Sequence, residues 1–371
     1  MFILEAIKAK HGDCLLLHWG TDDDPRLALI DGGPNRVYAE FLKPRLLELA
    51  SQRGQSPLKL DLTMVSHIDE DHIAGLLDLA EEIENQDAPV QIDLLWHNSL
   101  EGLLDEKIQG PSSKITAAVS SRFPGMQDSH NPWMQMVLAS VPQGQELHAF
   151  AKRMGIYDTM NDPYHPLIIA APRQRAADIK GLSITVVCPA AAEVEKLRKQ
   201  WVKLRKEGIT ADYSDRSPYN LSSLVVIAKY EGKRMLLTGD ARGDLIIKGL
   251  RQMNLLRNNR GAIHFDLLKL PHHGSNNNVD EDFFRRITAS TYVVSGDGVR
   301  FPNPNEDAMR WLAKARDGAK YTICCTYELP YMRSIFGDKL RVPDTNSCSV
   351  KAEIGPAAQS ASTKRRKPLP S

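Results

Sequence analysis

The sequence is short of most features that would announce a specialised setting. Its five cysteines (Cys14, Cys188, Cys324, Cys325 and Cys348) are odd in number and show no CxxC pairing. This argues against a disulfide framework and against a cysteine zinc site. Charge of one sign is missing too: 47 Lys and Arg stand against 46 Asp and Glu, a net of +1 in 371 residues. No global basic field invites nucleic acid, although a local basic patch is still allowed. No apolar run approaches bilayer-spanning length, and Met1–Lys8 goes straight into a strand pattern rather than a secretion signal. With 42% hydrophobic and 25% charged residues, the composition is that of a globular protein, expected in the cytoplasm and off the membrane.

What is present is one dense polar stretch, Ser66-His67-Ile68-Asp69-Glu70-Asp71-His72. Two imidazoles and two carboxylates fall within six residues, and Glu70 adds an acid pointing elsewhere. Mixed nitrogen and oxygen ligands this close suit Zn, Mn or Fe better than Ca or Mg. Upstream, Leu60, Leu62, Met64 and Val65 read as a buried strand. Downstream, Ile73, Leu76, Leu77, Ala80 and Ile83 recur at helical spacing. The ligands are therefore expected at the mouth of a strand, gripped between two rigid elements.

Along the chain, strands are expected at 2–8, 13–18 and 27–31, the last ending in Asp31-Gly32-Gly33. Asp31 is as readily an ordinary turn residue as a functional one. A helix over 38–52 should break or start late at Pro44, and 91–96 reads as the strand closing a βαβ unit. The order favours an α/β architecture. Residues 98–181 are rich in Pro, Gly, Ser and Gln, with one short helix around Met134, Val137 and Leu138. They read as an insertion over the site, or equally as a surface elaboration or oligomer contact. Strands return at 182–187, 224–230, 234–237, 264–270, 291–295 and 320–325, with helices at 191–207 and 305–316. One domain over 1–354 is expected, followed by a disordered basic tail at 355–371 that carries Lys364-Arg365-Arg366-Lys367.

The strand ends collect His67, Asp69, Asp71, His72, Asp240, and His272 or His273. Two divalent ions at short separation need about this many ligands, with one carboxylate between them, and Asp240 after Thr238-Gly239 suits that bridge. His272 is assigned to metal and His273 to catalysis, with the reverse left open.

His67-Ile68-Asp69-Glu70-Asp71-His72 resembles the HxHxDH motif of the metallo-β-lactamase superfamily, with Asp69 in place of the second His. The variant looks like the branch containing the metallo-hydrolase domain of ComEC DNA-uptake proteins. Further matches follow in family order: His11-Gly12-Asp13-Cys14, Leu29-Ile30-Asp31-Gly32-Gly33, Asn220-Leu221-Ser222-Ser223-Leu224, Leu237-Thr238-Gly239-Asp240 and Lys269-Leu270-Pro271-His272-His273-Gly274-Ser275. The resemblance covers about residues 1–97 and 182–350. It implies an αββα sandwich of two mixed sheets with the metals at one edge, and it makes Asp31 a support for the ligands. Two departures stand out. Phe301-Pro302-Asn303-Pro304-Asn305 occupies the place of a His-Pro-His-Pro segment. Val187-Cys188-Pro189 stands where a further metal histidine is usual. The site is accordingly oxygen-rich, for two divalent ions, Mn or Zn.

The function this implies is a metal-dependent hydrolase, a phosphodiesterase or nuclease using a hydroxide shared between the ions. Asp71 would hold a metal and orient that nucleophile, and His273 would serve as general acid. A hydrolase of small esters, thioesters or lactones is the alternative. A conditionally active or non-catalytic subunit of a larger complex is a second. The partner expected is a phosphodiester substrate, nucleic acid among them. Near-zero net charge disfavours long duplexes unless a protein partner helps.

Overall fold

The computed structural model describes residues 1–99, 103, 132–207, 222–257, 261–344 and 347–355. Expectations for Asn220, for residues 100–102 and 104–131 of the 98–181 segment, and for the tail beyond 355 fall outside these residues.

In chain order, β1 (Phe2–Ile7), β2 (Cys14–Gly20) and β3 (Pro25–Gly32) precede α1 (Lys43–Arg53). Next come β4 (Leu58–Leu60), β5 (Leu62–Met64), α2 (Glu70–Glu84), β6 (Val90–Ile92), β7 (Leu95–Trp96) and α3 (Pro132–Arg153). β8 (Ala177–Ile179), β9 (Leu182–Cys188), α4 (Ala191–Glu207), β10 (Val225–Tyr230), β11 (Lys233–Leu237) and α5 (Gly243–Gln252) follow. The remainder is β12 (Ile263–Lys269), α6 (Glu281–Arg286), β13 (Ile287–Val294), α7 (Glu306–Ala315), β14 (Thr322–Cys325), α8 (Met332–Phe336), β15 (Leu340–Arg341) and β16 (Ser349–Glu353).

Side-chain alternation decides the layers. In β2, Leu15, Leu17 and Trp19 enter one buried cluster while Cys14 and Leu16 enter another, so both strand faces are covered. The strands form a six-stranded sheet in the order β16-β1-β2-β3-β5-β7 and an eight-stranded sheet in the order β15-β14-β13-β12-β11-β10-β9-β8. Their inner faces meet: Leu4, Trp19 and Met64 of the first pack with Val226, Met235 and Leu267 of the second. Outside the first sheet lie Leu46 of α1 and Ile73 and Leu76 of α2. Outside the second lie Ile246, Leu250, Phe283 and Leu312. This is the four-layer αββα sandwich expected from the sequence motifs.

Three local differences have physical causes. The run Leu60–Val65 is not one strand. Asp61 interrupts it, its buried carboxylate accepting the Leu27 N–H at 3.1 Å and an Arg26 N–H at 3.2 Å. β4 consequently pairs with β6 in a separate two-stranded sheet, while β5 joins the six-stranded one. The helix near Met134 is not short, since α3 runs 22 residues with Pro142 inside it. Its Gly144 backs onto Ile68, between His67 and Asp69, so closely that a Cβ would lie 3.1 Å from Ile68 Cγ2. The late start at Pro44 takes the form of a π-helical turn, Tyr38–Leu42, leading into α1 with Pro44 in its first turn, where a missing N–H costs nothing.

Candidate metal centre

Strands β3, β5 and β7 run parallel, and so do β11, β12 and β13. Their C-terminal ends therefore share an edge, which carries Asp31, Ser66–Asp71, Asp240, His272–His273 and Ser295. The sheets are tied there by the Leu224 N–H, which donates to Ser66 O at 2.8 Å. Two glycine contacts set the spacing. A Cβ on Gly75 would lie 2.1 Å from Gly32 O, so α2 sits in backbone contact with the end of β3. Gly239 has φ +46°, and a Cβ there would meet Ser223 Oγ at 2.7 Å and Ser66 Cβ at 2.9 Å. Only glycine lets Thr238-Gly239-Asp240 come this near.

Asp240 stands at the centre with one oxygen to each side. Its Oδ1 is 3.3 Å from His72 Nε2 and 3.7 Å from His273 Nε2. Asp71 Oδ2 closes that side, 3.5 Å from His273 Nε2 and 3.9 Å from His72 Nε2. On the other side, Asp240 Oδ2 is 3.8 Å from His67 Nε2 and 3.4 Å from His272 Nε2, and Asp69 Oδ2 is 3.5 Å from His67 Nε2. All six residues read from the sequence as ligands, together with His273, converge around the Asp240 carboxylate. The paired histidines differ in exposure: the His273 side chain is 2% exposed and that of His272 31%.

The surrounding hydrogen bonds fix which ring nitrogen faces inward. Asp31, held at φ +58°, accepts the Ser66 N–H on Oδ1 at 2.7 Å. On Oδ2 it accepts the Ser66 hydroxyl at 2.7 Å and His72 Nδ1–H at 2.8 Å. Because the Ser66 hydroxyl donates to Asp31, its oxygen accepts from His67 Nδ1 at 3.0 Å. Ser295 donates to Asp13 Oδ1 at 2.5 Å and accepts from His273 Nδ1 at 2.9 Å. His272 Nδ1 is 2.8 Å from Asn278 Oδ1, whose amide donates to Asp240 O at 3.0 Å. All four imidazoles thus turn Nε2 toward the carboxylates, the orientation that metal-bound histidine takes.

Among the described residues, the buried Nε2 atoms of His67, His72 and His273, and Oδ1 of Asp240, have no hydrogen-bond partner. Leaving such atoms unsatisfied is costly. The spacing also decides against direct hydrogen bonds: two donors about 2.1 Å from one ion at tetrahedral angles lie roughly 3.4 Å apart, matching the separations above. The donor set fits divalent metal, with nitrogen and oxygen mixed as Zn or Mn accept.

Electrostatics agree. Burial works against charge on His72 and His273, but the carboxylates win. Asp240, Asp71 and Asp31 hold His72 well above the usual imidazole value, and Asp13 and Asp240 push His273 up to about 9. Asp240 is buried, which raises a carboxyl, yet His272, His72 and His273 hold it far below its ordinary range. Without metal, charged His72 and His273 therefore stand against the Asp240 carboxylate, and a cation binding there displaces imidazole protons.

Several supporting residues escaped the sequence reading. Asp13 lies within 4.8 Å of ligand atoms of His72, Asp240 and His273. Its oxygens are taken by the Lys269 ammonium and by Ser295, so it holds His273 in place and leaves ligation to Asp71. Lys269, buried in Leu267-Leu268-Lys269-Leu270, was a signal in plain view: a charge inside an apolar strand needs a buried partner. Ser295 and Asn278 carried no such signal. Glu70 does point elsewhere, its Oε2 lying 3.3 Å from Arg300 Nη1.

Residues 11–129 match the family model described as the metallo-beta-lactamase superfamily. No curated protein matches the sequence. Solved structures similar to this chain include a Zn(2+)-bound PqqB from Methylobacterium extorquens, 12% identical, covering 95% of this chain and 100% of that one with TM-score 0.42. A diphosphatase of the PhnP family is 10% identical over 95% of this chain and 98% of that one, TM-score 0.38. A subclass B3 metallo-β-lactamase from a soil metagenome library is 11% identical over 86% and 75%, TM-score 0.28. The αββα fold and the family-model match over residues 11–129 agree with the superfamily resemblance read from the motifs, and the chain carries a candidate metal-binding cluster. Among the described residues no helix is long and apolar enough to cross a membrane.

Proposed function

We propose that the protein is a metal-dependent phosphodiesterase, holding Mn or Zn in two positions that share Asp240. The observation that carries the metal reading is the set of orphaned, inward-facing Nε2 atoms around Asp240. The phosphodiester reading is supported by a ligand set rich in carboxylate, by the motif's likeness to the ComEC branch, and by a cationic side chain, Arg300, hydrogen-bonded to the neighbour of Asp71.

Divalent ions in these positions would supply an activated water and Lewis acidity toward a phosphoryl oxygen. The chain's own residues do the rest. His67 and Asp69 serve one position and Asp71, His72 and His273 the other. Asp71, less buried than the histidines it faces, also accepts a hydrogen bond from the attacking water and sets its direction. His272 is the more exposed of the pair, with its Nδ1 fixed by Asn278, and delivers a proton to the leaving oxygen.

The test is incubation with single-stranded DNA, duplex DNA, RNA, a chromogenic phosphodiester, an aryl ester and a lactone, in Mn, Zn or EDTA. An Asp71→Ala chain runs alongside. Phosphodiester cleavage that needs metal and disappears in the variant is the expected result. Metal-dependent ester or lactone hydrolysis with phosphodiesters untouched overturns the reading.

A further inference from the structure

We propose that the loop tip Val299-Arg300-Phe301 is a nucleotide-binding lip of this centre, stacking a nucleobase on Phe301 and pairing the adjoining phosphate with Arg300. The proposal rests on the phosphodiesterase reading and names its substrate class.

The loop's placement is fixed at both ends by the metal centre itself. It leaves β13 at Ser295, which holds His273, and it returns at Asn305, whose N–H donates to Gly274 O at 3.1 Å. Inside it the Gly298 N–H donates to Asn303 O at 3.0 Å, and Tyr331 hydroxyl donates to Pro304 O. At the tip, Arg300 Nη1 lies 3.2 Å from His11 Nε2 and 3.3 Å from Glu70 Oε2. Glu70 precedes Asp71 in the first turn of α2, so the tip stands beside the start of the helix that carries Asp71.

The chemistry of that tip is unusual for a surface. Val299 is 83% exposed and Phe301 45%, and among the exposed large hydrophobics of the described residues they alone share a loop. Single exposed apolar residues need no explanation, but two bracketing an arginine at the mouth of a site do. The Arg300 guanidinium lies 5.3 Å from the Phe301 ring centroid, and the His11 ring meets Phe301 edge-on at 5.7 Å. Nη1 is occupied, while Nη2 and Nε make no hydrogen bond among the described residues and remain available to an anion. A flat cationic platform of arginine on an aromatic ring takes a planar base and a phosphate together. It is also reached by a single strand or a short oligonucleotide, which suits a chain with no global basic field.

Binding of fluorescent oligo(dT) and of an equally long oligomer of abasic sites, both with cleavage-resistant phosphorothioate linkages, would be measured by anisotropy on the Mn-loaded protein. Wild type should prefer oligo(dT). Phe301→Ala should weaken oligo(dT) about tenfold, the scale of one lost stack, and leave the abasic oligomer unchanged. Arg300→Ala should weaken both. Equal binding of the two oligomers by wild type, or no effect of Phe301→Ala, overturns the lip. Cleavage of unmodified oligo(dT) and of bis(p-nitrophenyl) phosphate is scored separately. Phe301-dependent binding without any cleavage keeps the lip and sinks the phosphodiesterase reading. Cleavage of the chromogenic diester with no base preference does the opposite.

Discussion

On the Oδ1 side of Asp240, Asp71 and His72 reach in from the start of α2 and His273 from the far side of β12, all three firmly held. On the Oδ2 side, His67 and Asp69 come from a single loop, and the ring that joins them from elsewhere, His272, is partly open to solvent. The supports differ as well. His72 leans on the Asp31 carboxylate, and His273 on Ser295, Asp13 and the Lys269 ammonium. His67 leans on the Ser66 hydroxyl, which is itself bonded to Asp31, and on the neutral hydroxyl of Ser223. Ionised partners raise ligand basicity and fix ring orientation more strongly than neutral ones. The difference teaches that the two sides of Asp240 are unequally enclosed: the Oδ1 side is sealed, and the Oδ2 side opens to solvent at His272.

The bluntest way to break this asymmetry is to remove what both sides share. Asp240→Asn should abolish metal-dependent hydrolysis and strip both ions, read by elemental analysis of the purified chain. A variant retaining two ions would contradict the bridging role. Next in size are the paired histidines. His272→Ala should keep its metal and lose about 10²–10⁴-fold in kcat, as removal of a general acid does, with a smaller loss on substrates whose leaving group needs no proton. His273→Ala should instead lose one ion per chain, and equal metal content in the two variants would erase the distinction. Asp31→Asn, which weakens the hold on His72 from behind, should cost about 10–100-fold in metal affinity at that position, followed by competition with a chromogenic chelator.

The mildest probe is pH. In the metal-free chain His273 is held up at about 9 against an unfolded value near 6.5. Its contribution to stability is therefore fully present below about 6.5 and fades as pH rises through about 9. Metal binding runs the other way, since a cation must displace that proton. Affinity should climb by about tenfold per pH unit for each proton released below its pKa, with calorimetric heats that vary with buffer ionisation enthalpy. A flat affinity profile from pH 6 to 9 would contradict the charged histidines.

Most of the architecture was legible because it rests on local signals. Alternating apolar residues place the strands, and the His67–His72 spacing falls at a strand-to-helix junction where few other roles suit it. Asp240 was legible because Thr238-Gly239 leads a strand into it. What escaped depends on distance in sequence. Nothing near Ser295 says that it will stand between His273 and Asp13, 282 residues upstream of it. Asp61 broke a strand because its carboxylate satisfies the backbone of Leu27, a partner invisible to periodicity. The tasks of His272 and His273 are likewise inseparable in sequence, since adjacent residues with unequal exposure differ through the packing of Ser295 and Asn278 around them.

The first sheet is completed by β16, whose Ser349 faces Ile7 across the ladder and whose hydroxyl donates to buried Glu5. A ribosome making 5–20 residues per second needs roughly 20–70 s to travel from the one strand to the other. Throughout that interval the nascent chain displays β1 with an open edge, and the acids of the His67–His72 loop wait for histidines not yet translated. The edge that carries the centre has all its side chains only once Ser295 has been made, and the sheet beside it is complete only once β16 has joined β1.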